Sequence, residues 1–485
     1  MTSTGSHATT AQPPETETAR RPWTVLALAL AAQVLVVLDI SVVNTALPTI
    51  GRALDLPGSG LQWLITAYLL TSGGGLLLGG RIADVFARKQ VFLTGVAIFT
   101  TASMTSGLAA NAGTLIGSRA GQGLGAALMT PAALSLIMTG YAGAQRARGL
   151  ALWGAVGSMG IAAGVLLGGA LTTWFGWRAI FWINVPVGIA VLVIGTIVLP
   201  ATRVERTAAA QLDVPGGVTV VAGLGALVYG IESITSHGVT SPITVGAFAV
   251  AVALLTAFSR IERRSISPLV PPHAWRIRSL VAGTATIAGV TAVLVGAIFL
   301  ISIFCQTVLG YSALRTGVAL VPLALALTGG THVARHLLAK TSARHVASGG
   351  LVVAAIGAVL LAQGTTHPGY LAGVLPGLVV LGIGSGLVFV AVFISASAGI
   401  PAQHAGTASG LVMTGHEIGA ALGVAILAAV AAGAGPLSTV AGATAGAGRG
   451  FAAAAALAVV VAAIAAMTMP KSAGAGAAAG HMHMH

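Results

Sequence analysis

The sequence predicts an all-α integral membrane protein with fourteen transmembrane helices. Of its 485 residues, 56% are hydrophobic and only 7% are charged, whereas soluble globular domains carry roughly 25% charged residues. The apolar residues form long runs, and a membrane-spanning helix needs about 20 predominantly apolar residues. Backbone groups that face lipid must be hydrogen-bonded within their own segment, so these runs are expected to be helices. The composition excludes a soluble enzyme.

Fourteen apolar runs are long enough to cross a bilayer. Six of them precede a strongly charged segment at 201–213, two lie between it and a second charged segment at 260–279, and six follow. This spacing predicts two six-helix bundles with two extra helices between them. The predicted spans are 23–47, 61–80, 91–110, 113–138, 149–172, 179–199, 214–232, 242–260, 280–303, 314–331, 345–363, 369–395, 406–431 and 449–468.

The same pattern divides the chain into five parts. They are a cytoplasmic N-terminal lead (1–22), an N-terminal six-helix bundle (23–200), a cytoplasmic linker with the two extra helices (201–260), a C-terminal six-helix bundle (261–470) and a disordered tail (471–485). The lead is polar and lacks the apolar region of a secretory signal, so no cleavage is expected.

The distribution of Lys and Arg residues orients the predicted spans. With the N-terminus inside, eighteen of the 23 basic residues fall on cytoplasmic loops, four fall outside, and Arg119 lies within a span. Cytoplasmic loops of membrane proteins carry an excess of Lys and Arg. We therefore expect a multi-pass protein of the cell inner (plasma) membrane with both termini in the cytoplasm. The net charge of +13 follows from these loops and predicts no nucleic-acid partner.

Charged residues within the spans are the strongest candidates for function, because charges are costly in lipid. Helical rise puts Asp39 about 22 Å from the inner face and Arg119 about 9 Å from the outer face. Both therefore occupy the outer half and can pair, directly or through Gln122. Glu417, preceded by His416, lies near the midplane. Each acidic residue could be a proton site, or it could only join two helices through an ion pair or a hydrogen bond.

The sequence offers no constellation for a resident metal or an enzyme active site. The single cysteine, Cys305, excludes an internal disulfide and a multi-cysteine metal site. Neither HExxH nor paired aspartates with metal spacing occur. His332 and His336 could share one helix face, but we interpret them as part of a solvated basic surface. We expect no cofactor, and a membrane-embedded enzyme is the remotest alternative.

Two segments of the N-terminal bundle have the sequences LDISVVNTALP (38–48) and GRIADVFARK (80–89). The first is similar to the LDxTxVNxALP signature of the fourteen-span drug:proton antiporters in the major facilitator superfamily. The second resembles the GxLaDrxGrk loop of the whole superfamily. The resemblance implies a conformational latch formed by Gly80, Asp84 and Arg88. Ala87 replaces the second glycine of this loop, which is expected to weaken its tight turn.

Further motifs extend the resemblance over nearly the whole chain. They are RAGQGLG at 119–125, WRAIFWINVPVG at 177–188 and GHEIGAALG at 415–423. The fifth span also resembles the glycine-rich antiporter motif through Gly164, Gly168 and Gly169, which are expected to act in hinge motion or helix packing. Ile161 and Val165 replace the usual prolines, so this span is expected to be straighter, since proline kinks a helix.

The resemblance implies the major facilitator fold and proton-coupled efflux by alternating access. The expected substrate is a lipophilic or cationic drug or natural product, and the proton gradient is the energy source. Asp39, Glu417 and Arg119 are the expected proton-coupling residues, and the expected substrate-cavity residues are Asn44, Gln122 and His416. The partners are then the substrate, protons and the lipid bilayer, and a monomer is expected. A dedicated exporter of one endogenous metabolite and an uptake transporter stay open as alternatives.

Overall fold

Eight helices make up the first part of the chain that the structure describes, and we call them the N half. The computed structural model describes residues 22–56, 58–199, 212–270, 272, 274–367, 369–397 and 405–470. The helices of the N half are α1 (Pro22–Ala53), α2 (Gly58–Leu61), α3 (Trp63–Val85), α4 (Arg88–Leu108), α5 (Ala112–Gly140), α6 (Gly143–Phe175), α7 (Ala179–Trp182) and α8 (Asn184–Val198).

Among the described residues that follow, there are two extra helices and then a second set of seven helices, which we call the C half. The extra helices are α9 (Val214–His237) and α10 (Pro242–Arg264). The C half contains α11 (Arg278–Ile303), α12 (Ala313–Leu338), α13 (Ala343–Gly364), α14 (Tyr370–Gly373), α15 (Leu375–Ser397), α16 (Ala405–Ala432) and α17 (Val440–Thr468). A π-helical turn, Phe304–Val308, extends α11. No β-strand occurs in the described ranges.

Fourteen segments of the described chain are long and apolar enough to cross a membrane, which confirms the predicted all-α, fourteen-span fold class. Thirteen are single apolar segments, and α6 supplies the fourteenth as two inclined halves. Several helices run past the predicted spans, because polar residues at a helix end keep their backbone hydrogen bonds. The first helix continues to Ala53, α10 continues past residue 260 to Arg264, and α12 continues to Leu338.

The fifth span is bent, so the expectation of a straighter helix was wrong. Its halves, Gly143–Gly157 and Ala162–Phe175, are inclined by 45°. Sharp bends arise at glycine and serine pairs as well as at proline. The break lies between Gly157 and Ala162 and contains no proline.

The two halves repeat one packing pattern, although no repeat is visible in the sequence. In the N half, α1 packs against α6 and α5 packs against both α3 and α4. In the C half, α11 packs against α16 in the same way, and α15 packs against both α12 and α13. The halves meet through two corresponding crossings, α6 with α12 and α3 with α16. Repeats of this kind place a transporter's substrate site at their interface.

The extra helices lie beside one of these crossings. Helix α9 packs against both α3 and α16, and α10 packs against α9. Asp213 begins α9 by accepting a hydrogen bond from the backbone N–H of Gly216 at 2.8 Å. Farther along α9, Glu232 accepts a hydrogen bond from the indole N–H of Trp63 at 3.1 Å. This bond ties α9 to the first residue of α3.

Candidate functional site

A buried polar cluster around Asp39 lies between α1, α5 and the start of α8. Asp39 is fully buried and forms an ion pair with Arg119, which is also buried. The other carboxylate oxygen, Oδ1, accepts hydrogen bonds from Gln122 Nε2 at 2.8 Å and from Asn184 Nδ2 at 2.9 Å. The predicted pairing of Asp39 and Arg119, directly and through Gln122, is therefore confirmed.

Arg119 is fixed from several sides. Its Nε donates to the carbonyl oxygen of Leu64 at 2.8 Å, and its Nη1 donates to Gln122 Oε1 at 2.8 Å. Its guanidinium carbon lies 4.6 Å from the centre of the Tyr68 ring, within the range of a cation–π interaction. Arg119 and Gln122 are three residues apart on α5, so they share one face of that helix. The cluster satisfies the arginine as fully as it satisfies the aspartate.

Glu417 has a different environment in the C half. It lies on α16 opposite Gly73 of α3, where an added Cβ would be 2.6 Å from the Glu417 Cβ. Its side chain is buried, and no hydrogen bond to Oε2 is formed from the described residues. The only ion pair among the described residues is that of Asp39 with Arg119. Glu417 is therefore a buried carboxyl group without a counter-charge, at the crossing of the two halves.

The predicted cavity residues lie in three different places. Asn44 is buried in α1 and donates from Nδ2 to the carbonyl oxygen of Ile40 at 3.1 Å, while its Oδ1 has no partner among the described residues. Gln122 is fully buried inside the Asp39 cluster. His416 is half-buried beside Glu417, with its ring centre 5.7 Å from that of Phe389.

The three predicted hinge or packing glycines divide between two interfaces. Gly164 and Gly168 face α1, where a Cβ would meet Ser41 and the backbone of Val42. Gly169 faces the C half instead, because a Cβ there would lie 2.6 Å from the carbonyl oxygen of Ala313. Gly164 and Gly168 thus pack α6 within its own half, and Gly169, on a neighbouring face of the helix, packs it across to the start of α12.

The loop of the predicted latch is a two-residue turn. Phe86 and Ala87 join α3 to α4, and Ala87 has φ −58° and ψ 116°. The turn needs no left-handed residue, so the expectation that Ala87 weakens it was wrong. No atom lies within 4 Å of the position that a Cβ at Gly80 would take. Arg88 Nε is buried and has no hydrogen-bond partner among the described residues. The side chain of Asp84 lies outside the described part of the structure.

Neighbouring basic residues connect this loop to other elements. Arg81 donates to Ser267 Oγ at 2.6 Å, which joins α3 to the segment before α11. Lys89 Nζ donates to the carbonyl oxygens of Thr196 and Leu199 at 2.7 and 2.8 Å. A cation at the C-terminal end of a helix also interacts favourably with its dipole, so Lys89 anchors α8 to the loop.

Three residues of the Asp39 cluster were not predicted from the sequence. Asn184 and Ser103 contribute hydrogen bonds, the latter by accepting from Gln122 Nε2 at 2.7 Å, and Tyr68 contributes its ring face. Asn184 lies within the WRAIFWINVPVG motif of a predicted span. Estimating its depth in the membrane from helical rise, as for the charged residues, could have placed it near Asp39. No sequence signal distinguishes Ser103 from other small residues in the spans.

The described residues contain no group of three or more His, Cys, Asp and Glu residues placed to hold a metal ion. His332 and His336 are exposed near the end of α12, and each Nδ1 lies 2.9 to 3.0 Å from the backbone oxygen four residues earlier. These bonds leave the two rings on a solvated face, together with neighbouring basic residues. The prediction that the protein has no cofactor stays a prediction.

Comparisons with known proteins agree on one family. Residues 29–424 match the model of the Major Facilitator Superfamily. The chain is 39% identical to the puromycin resistance protein of Streptomyces alboniger, over 85% of this chain and 82% of that one. It is 37% identical to the cephamycin export protein of Amycolatopsis lactamdurans, over 89% and 88% of the two chains.

Solved structures support the same fold. One similar structure is a bacterial homologue of the human lysosomal transporter Spinster in an inward-facing and occupied conformation. It has a TM-score of 0.65 and 18% identity, and the match covers 93% of this chain and 97% of that one. A peptide transporter of the POT family matches with a TM-score of 0.66 and 16% identity, over 95% and 99% of the two chains. At these identities the likeness concerns the fold alone.

Proposed function

The chain belongs to the major facilitator superfamily, and we propose that it exports a small drug or natural product in exchange for protons. It is a transporter and has no enzymatic role. The names of its relatives support export of small molecules, since they include a resistance protein and an export protein. The observation that supports proton coupling most directly is the buried, unpaired carboxyl group of Glu417 at the crossing of the halves.

We propose that the turn between α3 and α4 faces the cytoplasm of the cell and that both chain termini do so too. We call this side the Arg88 end and the opposite side, where α1 ends, the Ala53 end. The excess of Lys and Arg on the loops at the Arg88 end supports this orientation. The protein is then a multi-pass protein of the plasma membrane, acting as a monomer with no cofactor.

The arrangement of the halves supports alternating access, with the substrate site open toward the Arg88 end in the described conformation. Residues 41–47 of α1 are all buried, whereas several residues between 30 and 38 are partly exposed. Helix α11 has the same gradient, because residues 290–294 are buried and residues 284, 285, 288 and 289 are more exposed. Both helices are thus more fully buried toward the Ala53 end than toward the Arg88 end, which supports a site that opens at the Arg88 end.

We propose that Glu417 carries the exchanged proton. A buried charge without a partner is strongly disfavoured, so burial favours the neutral, protonated carboxyl group. Movement of the halves would bring water or a cationic substrate to Glu417, and the carboxylate would then be stabilised and release its proton. His416 and Phe389 provide an adjacent aromatic surface for a lipophilic or cationic compound.

Asp39 and Arg119 have a second role in this proposal. Their cluster fixes α1 against α5 through the ion pair and the hydrogen bonds of Asp39. A change in the shape of the N half would open the cluster, and Asp39 would in this way couple that change to proton movement. The turn with Gly80, Asp84 and Arg88 would latch the Arg88 end, and Gly164, Gly168 and Gly169 would let α6 slide against its neighbours.

Transport in liposomes tests the proposal. The purified chain would be reconstituted with an internal pH dye, under an imposed pH gradient, and challenged with lipophilic cations and neutral antibiotics. We expect compound-dependent proton movement that is lost in Glu417→Gln. The control variants are Gln363→Glu and Thr444→Ala, which change an exposed and a partly exposed side chain, and both should retain this movement. Compound movement without proton movement would refute the coupling.

A dedicated exporter of one natural product is the second candidate. Two relatives are named for a single antibiotic, puromycin or cephamycin, which favours a narrow substrate range. The same liposome panel distinguishes the candidates. A response to many chemically unrelated lipophilic cations supports a multidrug exporter, and a response to one scaffold alone supports the dedicated exporter.

A further inference from the structure

The two halves are joined at the Ala53 end by hydrogen bonds to the backbone of α1. Ser302 of α11 donates from Oγ to the carbonyl oxygen of Asn44. Gln306 donates from Nε2 to the carbonyl oxygen of Thr45 at 2.9 Å. All four residues are buried, and both bonds cross from the C half to the N half. Carbonyl groups inside a helix are ordinarily occupied by the helix itself, so these two acceptors need an explanation.

Proline explains the first acceptor. In an α-helix, the carbonyl of each residue accepts a hydrogen bond from the N–H four residues later. Pro48 lies inside α1, four residues after Asn44, and has no N–H. The Asn44 carbonyl therefore has no partner within its helix and is free to accept from Ser302. A buried carbonyl without any partner would be destabilising, so the proline makes the Ser302 hydroxyl necessary whenever this end is closed.

The π-helical turn explains the second contact. Residues 304–308 leave the α-helical register two residues after Ser302, and Gln306 lies within this turn. A π-turn adds a residue to a helix and redirects the side chains that follow it, frequently at functional sites. Gln306 Nε2 lies 3.4 Å from Ser302 Oγ as well as 2.9 Å from the Thr45 carbonyl. The turn thus allows one helix to present two donors to α1.

We propose that Ser302 and Gln306 form a gate at the Ala53 end, and that Pro48 makes the gate reversible. In the closed state the freed carbonyl of Asn44 is satisfied by Ser302. In the open state the Ala53 end is hydrated, so a water molecule can donate to the Asn44 carbonyl in place of the Ser302 hydroxyl group. The carbonyl is therefore a backbone latch that opens without breaking the hydrogen bonds of α1. This inference rests on the proposed alternating-access function, which requires the Ala53 end to open.

Pro48 provides an unusual test of this gate. Pro48→Ala restores an N–H four residues after Asn44, so the carbonyl gains a helical partner in both states. Ser302→Ala in the natural background leaves that carbonyl buried and unpaired in the closed state only. In the Pro48→Ala background the same Ser302→Ala change leaves it paired. The two substitutions should therefore be strongly non-additive, as expected for groups that share one interaction.

The experiment measures distances by pulsed electron paramagnetic resonance in the full chain, reconstituted in lipid nanodiscs without substrate. Spin labels at Ala53→Cys and Leu371→Cys, both exposed, report the N half and the C half at this end. All variants carry Cys305→Ala. We expect Ser302→Ala to raise the ratio of open to closed populations roughly tenfold. Ser302→Thr keeps a hydroxyl group and should preserve the closed distance.

The outcomes separate the gate from the transport function. An unchanged distance distribution in Ser302→Ala, or an equal shift with and without Pro48, would overturn the gate. If Ser302→Ala fails to fold, Gln306→Leu removes the second donor and should shift the same ratio in the same direction; no shift would overturn the gate. The distance measurement uses no pH gradient and no substrate. An absence of proton exchange in liposomes would therefore refute the proposed function without changing the distances that test the gate.

Discussion

The two buried acidic residues occupy opposite halves of the molecule and differ in every contact that matters. Asp39 in the N half receives hydrogen bonds from Arg119, Gln122 and Asn184. Glu417 in the C half faces a glycine of the other half and has an oxygen without a partner among the described residues. A saturated carboxylate resists change, whereas an unpaired one responds to its surroundings. Both acidic side chains are buried, but their partners differ. The contacts of Asp39 support a role in stabilising the N half, and the lack of contacts at Glu417 supports a role in proton exchange.

The largest effect on stability is expected from breaking the N-half cluster. Asp39→Ala leaves Arg119 buried without its counter-charge, which costs roughly 3–5 kcal/mol of unfolding free energy. Thermal unfolding of the detergent-solubilised protein measures it. Replacing both partners, in Asp39→Ala with Arg119→Met, should recover part of the loss. A single Asp39→Ala variant as stable as the natural protein would show that the cluster has no stabilising role.

A second substitution tests the C-half site through its neighbour. Gly73→Val places side-chain atoms where an added Cβ is already 2.6 Å from the Glu417 Cβ. Overpacking of this kind costs roughly 1–3 kcal/mol, and it should separate α3 from α16 and slow transport. Gly246→Val on α10 is the matched control, because that glycine is exposed and nothing lies within 4 Å of an added Cβ there. Equal transport rates in the two variants would contradict a functional crossing at Glu417.

The contribution of the neutral donors to the Asp39 cluster can be measured at Asn184. Asn184→Ala removes one hydrogen bond to Asp39 Oδ1 while the ion pair stays. The expected loss is about 1.5–3 kcal/mol, as for hydrogen bonds to charged groups, and it should be smaller than that of Asp39→Ala. The same thermal unfolding series provides the measurement. A larger loss for Asn184→Ala than for Asp39→Ala would reverse the assigned importance of the partners.

The smallest change in stability is expected at the exchanging site itself. Glu417→Gln removes no hydrogen bond that the described residues form, so unfolding free energy should change by less than about 1 kcal/mol. Substrate-dependent proton movement should nevertheless disappear. The combination of intact stability with lost coupling distinguishes Glu417 from Asp39. A strongly destabilised Glu417→Gln protein would indicate that this carboxyl group also has a structural role.

Much of the fold was predictable because hydrophobicity and charge act locally along the chain. The fourteen spans and the Asp39–Arg119 pairing followed from run length and from helical rise. Other features depend on packing between distant segments, which no local pattern encodes. The bend of α6 forms in a segment that contains no proline. The match between the halves is visible in their helix contacts but not in their residues.

The charged residues of the site could be predicted from the sequence, and the neutral ones could not. Asp39, Arg119 and Glu417 were detectable because a charge within a span is rare. Asn184, Gly73 and Ser302 were not, because neutral polar and small residues are common in membrane helices and their partners lie far away in the sequence. Pro48 ends the LDISVVNTALP motif, but its consequence for the Asn44 carbonyl depends on the position of Ser302, which lies far away in the sequence.

The central claim is that Glu417 exchanges protons in a conformation where Asp39 stays paired. Infrared difference spectroscopy of the reconstituted protein tests this most directly, by following the carboxylic C=O band as the pH changes. We expect a pH-dependent band in the natural protein that persists in Asp39→Asn and disappears in Glu417→Gln. A band that persists in Glu417→Gln and disappears in Asp39→Asn would contradict the account and assign the exchanged proton to the N half.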